Sequence, residues 1–472
     1  MKRLPWVPPR TTLAIAAALL LAGCAMTRPA AKVDAVPVPQ WQAPLPHNGS
    51  VTDLANWWRQ QGDPLLVQLI DAAQTAGPSL AAARSRIAQA RAERVAAGAA
   101  LLPSVDAAAS INRMSQQSAL PTGTTSQAAL QAGWEIDIFG AGRAARDAAQ
   151  ARLDSAQAGW HEARVSLAAD VANQYYSLRS CEQLLLVALQ DAGSRAYTAR
   201  LTELSAKAGF QAPATAALAR ASAADGRGRA SAQRAACDSD IKALVALTAL
   251  PEPQLRSQLA AGPAVPAPPI VIADLPVQTL SQRPDVYSAE REVAAASAEV
   301  GGAQAQRYPR VSLSGSVGLA NFRTGGQNTQ LDTWTLGPLS LTVPLFDGGR
   351  RRANADAAGA RYDEAVIKYR ASVRNAVREV EQALLTLNST AERATDAQTA
   401  LSGYRTAFTA TEDRYKNGLA SLLELEDARR TRLAAENAVV GLQQERNAAW
   451  IALYRAAGGG WSASADTIPN TR

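Results

Sequence analysis

The chain has 472 residues, with 48 Lys and Arg against 41 Asp and Glu, a formal net charge of +7 and only 5% aromatic residues. The two signs of charge are interleaved along the whole length, so there is no basic stripe to hold a nucleic acid, and the charges read as solvated helix faces. An alanine-rich, aromatic-poor composition suits long, closely packed helices rather than a bulky globular centre.

Lys2, Arg3 and Arg10 flank the start of an apolar run at residues 13–22, too short to span a bilayer but suited to the core of a secretory signal. It ends in Leu21-Ala22-Gly23-Cys24. That pattern resembles the bacterial lipoprotein signal, in which the cysteine thiol is acylated and the chain is cut just before it. Cys24 is thus the expected lipidation site, with palmitate among its acyl groups, and residues 1–23 the signal peptide. Ala25 follows rather than Asp, which by the same resemblance favours the outer membrane. Beyond it no stretch approaches the ~20 apolar residues of a membrane helix. Any membrane span must therefore be β.

The rest of the sequence is written twice. Leu101-Leu102-Pro103-Ser104-Val105 returns as Arg307-Tyr308-Pro309-Arg310-Val311, and Ile138-Phe139-Gly140-Ala141-Gly142-Arg143 as Leu345-Phe346-Asp347-Gly348-Gly349-Arg350. Lys207-Ala208-Gly209 answers Lys416-Asn417-Gly418, and Ala219-Arg220 answers Ala428-Arg429. Internal repetition at a nearly constant spacing and in one order predicts two copies of one structural unit. The expected divisions are an extended, Pro-rich N-terminal segment at 24–60, a first repeat at 61–250, a Pro-rich linker at 251–280, a second repeat at 281–457 and a C-terminal tail at 458–472.

Each repeat reads as helix, strand, strand, very long helix, turn, helix. Val311, Leu313, Val317 and Leu319 alternate with Ser312, Ser314, Ser316 and Gly318, the period of a strand with one apolar and one polar face. Strands are expected at about 310–322 and 332–346, with Gly337-Pro338 marking a bulge that switches faces. Weaker counterparts lie at about 104–115 and 127–139. Each is long enough for the ~9–11 residues of a tilted membrane strand. Four strands cannot close a barrel, and open sheet edges are not tolerated in hydrocarbon. The chain must therefore oligomerise, and a trimer supplies an even, closed set of 12 strands.

Val373, Val377, Val380, Leu384 and Leu387 follow the alternating four-three spacing of a coiled-coil seam, as do Leu167, Val171, Leu178 and Cys181 in the first repeat. No proline interrupts residues 143–207 or 350–416, so two unbroken helices of roughly 100 Å are expected. If the first turns near Gly209 and a second helix returns from about 213 to 248, Cys181 and Cys237 lie 28 residues either side of the turn. Both sit on apolar seams, and in an oxidising compartment they are expected to form a disulfide stapling the hairpin.

Over nearly its whole length after the signal, the sequence resembles the TolC/OprM-type outer-membrane efflux proteins. The resemblance is carried by Trp57-Trp58, Asp63-Pro64-Leu65, the segment 134–140, Arg283-Pro284-Asp285-Val286, and the segments 344–350 and 418–429, all in one order. It implies a homotrimer that joins a 12-stranded membrane β-barrel to a long 12-helix α-barrel in the periplasm, with a mixed collar at the equator. It also implies docking with a periplasmic adaptor and an inner-membrane pump, expected to be proton-driven. By the same resemblance Arg414, Tyr415 and Asp427 match the family's tip motif around Gly418 and are the expected periplasmic gate. Gly209 and Gly418 are the expected adaptor-docking tips. The first repeat departs here, with Ser205, Ala206 and Leu218 in the corresponding places, so only the second hairpin would carry the gate.

An enzyme reading finds one foothold. Gly140-Ala141-Gly142-Arg143-Ala144-Ala145 superficially satisfies a dinucleotide fingerprint, but the helix it opens continues for some 60 residues where that motif needs a second strand within about 30. His47 and His161 are far apart and no cluster has metal-ligand spacing, so neither a cofactor nor a metal is expected. A lipid-anchored coiled-coil adaptor would lack the duplicated strand pairs. A conduit for protein secretion remains open, because cargo leaves no trace in one sequence.

Overall fold

A computed structural model of the protein describes residues 28–34, 42–43, 57–60, 62–115, 122–260, 280 and 283–461. The expected signal peptide and lipidation site Cys24, and most of the N-terminal segment and of the Pro-rich linker, lie outside the described residues. In chain order the elements are α1 (Trp57–Gln60), α2 (Pro64–Ala76), α3 (Pro78–Ala99), β1 (Ser104–Met114) and β2 (Gly123–Ile136). Next come α4 (Ala141–Lys207), α5 (Pro213–Thr248), α6 (Glu252–Leu259) and α7 (Pro284–Ala305). The last are β3 (Arg310–Thr324), β4 (Gln327–Thr342), α8 (Arg350–Lys416) and α9 (Leu422–Ala456), closed by a 3-10 turn, Gly458–Gly460.

Two compact units share these elements. The first, drawn from residues 1–35, 85–157 and 288–371, holds an antiparallel sheet in the order β1-β2-β3-β4. Registers such as Ala107 with Leu130, Leu130 with Val317 and Val317 with Trp334 put one apolar face across all four strands. Gln131 and Ser316 lie on the other face, with Thr335 beside them. On β3 the apolar positions run from Val311 to Leu319, a rise of roughly 26 Å and, at ~40° of tilt, a band of about 20 Å. The register slips between Leu313 and Gly315, opposite Gly337 and Pro338, so Leu336 and Leu339 fall on the same face despite opposite parity. Pro338 has no N–H to give the ladder, which is why the irregularity sits there.

Three boundaries differ from the expected ones. The strand expected at 127–139 runs over Gly123–Ile136, because Asp137 has left the sheet to cap α4, accepting from the N–H of Gly142 at 3.1 Å and of Arg143 at 2.8 Å. The strand expected at 332–346 runs over Gln327–Thr342, because Gly325 and Gly326, both at positive φ, make a turn tight enough to start it at once. Beyond it Asp347 caps α8 through the N–H groups of Gly349 and Arg351, at 3.0 and 3.1 Å. Part of the Pro-rich linker is helical: Pro253 lies in the first turn of α6, where its missing N–H costs nothing, and Leu255 and Leu259 are buried.

In the same unit residues 28–32 lie against α7 and its neighbours. Arg28 pairs with Asp147 at 3.6 Å, Ser297 donates to the Pro29 carbonyl at 2.6 Å and Tyr362 to the Ala30 carbonyl at 2.9 Å.

The second unit, from residues 36–84, 158–287 and 372–472, is helical. Its core joins Leu66, Leu69 and Ile70 of α2 to Val171, Tyr175 and Leu178 of α4, Leu244 of α5, Leu384 of α8 and Ile451 of α9. Asp63 caps α2 and takes a 2.6 Å hydrogen bond from Tyr175, whose phenol is pushed up to about 12 by burial and then by that carboxylate. Arg283 is buried and forks onto Asp285, reaches Glu379 at 2.8 Å and donates to the Ala456 carbonyl at 2.9 Å. The residues after α9 are no loose tail at their start: Trp461 is buried beside Tyr287 and His161.

Candidate gate at the hairpin tips

α4 and α5 form one antiparallel hairpin, α8 and α9 the other. Cys181 and Cys237 meet across the first, with Cα atoms 5.5 Å apart and the sulfurs bonded. The second is crossed by ion pairs of Arg393 with Glu445 at 2.7 Å and Arg405 with Glu436 at 3.1 Å.

Both long helices end by the same device. Gly209 and Gly418 take positive φ, the left-handed conformation that lets the next N–H turn back onto the last helical carbonyls. Phe210 N donates to Ser205 O at 2.9 Å in one tip, and Leu419 N to Arg414 O at 2.8 Å in the other. α9 then restarts with a reciprocal cap, Glu424 N donating to the Ser421 hydroxyl at 3.2 Å and Ser421 N to the Glu424 carboxylate at 2.7 Å. α5 has only Pro213 in its first turn and no side-chain cap.

The three expected gate residues are treated differently. Tyr415 reaches the other hairpin, its phenol 2.7 Å from the Thr202 hydroxyl. Arg414 stays within its own tip, donating to the Leu419 carbonyl at 3.1 Å. Asp427 is exposed and pairs with Arg430 on its own helix. Inside one chain, then, a single one of the three ties hairpin to hairpin.

The stronger tie was not among the expected residues. Arg429 is fully buried, donates to the hydroxyls of Ser194 and Thr198 at 3.1 Å each, pairs with Glu426 and lies 5.7 Å over the Phe408 ring. Burial pulls its pKa below the ordinary arginine value. Arg195 pairs with Glu426 and with the buried Asp191, the latter at 2.8 Å, and donates to the Ser222 hydroxyl at 2.5 Å. Arg229 joins the same Asp191 oxygen at 3.3 Å. Gly226 makes room: a Cβ there would come within 2.9 Å of Arg195 Cδ. One signal was legible. Leu422, Leu425, Arg429, Arg432 and Glu436 keep the three-four spacing of a seam, with charges where leucines are due.

Among the described residues no helix is long and apolar enough to cross a membrane, and no cluster could hold a metal ion. A two-faced sheet and twin long helical hairpins define a channel subunit. The family model described as outer membrane efflux protein matches twice, over residues 69–250 and 275–459. The pyoverdine export outer membrane protein OpmQ of Pseudomonas putida is 31% identical over 97% of this chain and 99% of its own. OprJ of Pseudomonas aeruginosa, an outer membrane protein, is 31% identical over 95% of each chain. The solved outer-membrane channel OprN is 28% identical and superposes with a TM-score of 0.83, covering 92% of this chain and 99% of that one. The chain belongs to the outer membrane efflux protein family. It is the outer-membrane channel component of a tripartite efflux pump.

Proposed function

We propose that three copies close one 12-stranded barrel over a 12-helix periplasmic tunnel, anchored by acylated Cys24, and that the tunnel is shut at its hairpin tips until an adaptor opens it. The observation that carries this is the sheet. It has an apolar band on one face, polar residues on the other and two open edges, β1 and β4, which by their directions pair antiparallel between neighbours. Bare edges cannot stay in hydrocarbon. A periplasmic adaptor docks at Gly209 and Gly418, and a proton-driven inner-membrane pump supplies the energy. The disulfide of Cys181 with Cys237 forms in the oxidising periplasm. The cargo is small toxic compounds, the class named for two relatives called solvent and toluene efflux pump proteins.

The gate consists of the Tyr415 to Thr202 tie, with Arg414 holding the tip turn and three copies of Asp427 forming an acidic ring. Single-channel conductance in planar bilayers tests it. Tyr415→Phe and the double change of Arg414 and Asp427 to Ala are each expected to raise conductance several-fold. Parental conductance in both would place the closure elsewhere.

A further inference from the structure

Two layers of contact join the hairpins of one chain, and they differ in kind. Near the tips, Thr202 and Tyr415 share one neutral hydrogen bond, seven residues from Gly209 and three from Gly418. Further from the tips stands the charged cluster of Asp191, Arg195, Arg229, Glu426 and Arg429, drawn from α4, α5 and α9. Asp191 is 2% exposed and Arg429 0%. Breaking one part-buried hydrogen bond between two neutral hydroxyls leaves no charge unpaired. Separating buried, mutually compensating charges strands each of them without a partner in a poorly solvating interior. The hydroxyls of Ser194 and Thr198 accept from Arg429 and that of Ser222 from Arg195, and Phe408 lies under Arg429 on the fourth helix, α8. Any sliding of one hairpin along the other at this level breaks several of these bonds together.

We propose that this cluster is the fixed fulcrum of the hairpin domain. It bolts the two hairpins of each chain together in the closed and the open duct alike, and it confines opening to the turns between itself and the tips. It rests on the reading of this chain as a duct closed at its tips.

Covalent cross-links separate the two layers. Arg195→Cys with Glu426→Cys places a reversible bis-thiol cross-link where the ion pair stands, and Thr202→Cys with Tyr415→Cys places one at the tip. Export of a fluorescent dye by cells is read before and after reduction. The fulcrum predicts that the cross-link at the charged level leaves export within twofold of its parental rate. Loss of export there, restored by reduction, would overturn it. The tip cross-link is expected to abolish export reversibly; if it does not, the tip gate fails on its own account.

Since the cysteine pair at the charged level removes two members of the cluster, hydrogen exchange of the unaltered trimer in detergent provides a second measurement. Amides at 191–198 and 426–432 are expected to exchange at least 100-fold more slowly than those at 202–212 and 414–423. Equal exchange at the two levels would overturn the fulcrum.

Discussion

Glu424 and Ser421 hold the start of α9 by exchanging hydrogen bonds. Ser421 N, donating to the Glu424 carboxylate, keeps that carboxyl below its ordinary pKa. For an acid with a lowered folded value, the stabilisation is complete above the unfolded value and is lost as pH falls through the folded one. Glu424→Ala is therefore expected to lower amide protection at 421–425 several-fold at neutral pH. The variant and the parent should converge only once the pH has fallen through that lowered value and the parent's carboxylate is also protonated. A gap that persists in acid would mean the side chain acts through something other than its charge. Residue-scale function was only partly legible in the sequence. Tyr415 could be singled out by resemblance, but its partner Thr202 sits more than 200 residues away, and only the fold brings the two together. The seam spacing of Leu422, Leu425 and Arg429 hints that Arg429 faces inward, but nothing local says that it is fully buried. That fact belongs to Asp191, on the other hairpin, and to Glu426, three residues before it on the same helix.

At the scale of elements, the long helices were the most legible part, because a seam without proline constrains dozens of residues at once. α4 and α8 each run 67 residues. The strand ends were the least legible. Asp137 and Asp347 both cap a long helix through its first N–H groups, yet they stand at different offsets from Phe139 and Phe346. The two repeats thus preserve a cap without preserving its position, and comparing repeats could not reveal it. The first hairpin carries its own test. The cysteines are separated by 56 residues, and closing such a loop restrains the unfolded chain by on the order of 4 kcal/mol. Replacing Cys181 and Cys237 by Ser is expected to lower the thermal midpoint of the trimer by several degrees, and reducing agent should then have no further effect. An unchanged midpoint would show that the helix seam alone holds the hairpin.

For the whole molecule, the decisive property is which face of the sheet meets lipid. Leu130 lies mid-band on the apolar face and Gln131 on the opposite one. Leu130→Arg is expected to destabilise the membrane-inserted trimer by ~2–4 kcal/mol, the cost of a cation near the bilayer midplane. Gln131→Arg should assemble normally, because it lies on the polar face, which the proposed barrel turns to water. Heat-modifiable migration on gels and liposome insertion would read both. Equal tolerance of the two changes would reverse or remove the assignment of faces.

The proposed wall of three identical shares has a genetic consequence. Where normal chains and chains with a spoiled β1 or β4 edge are made in equal amounts and mix at random, only about one ring in eight escapes the faulty partner. Such an allele would act over its healthy copy, and drug sensitivity in a merodiploid strain would reveal it without any protein being purified.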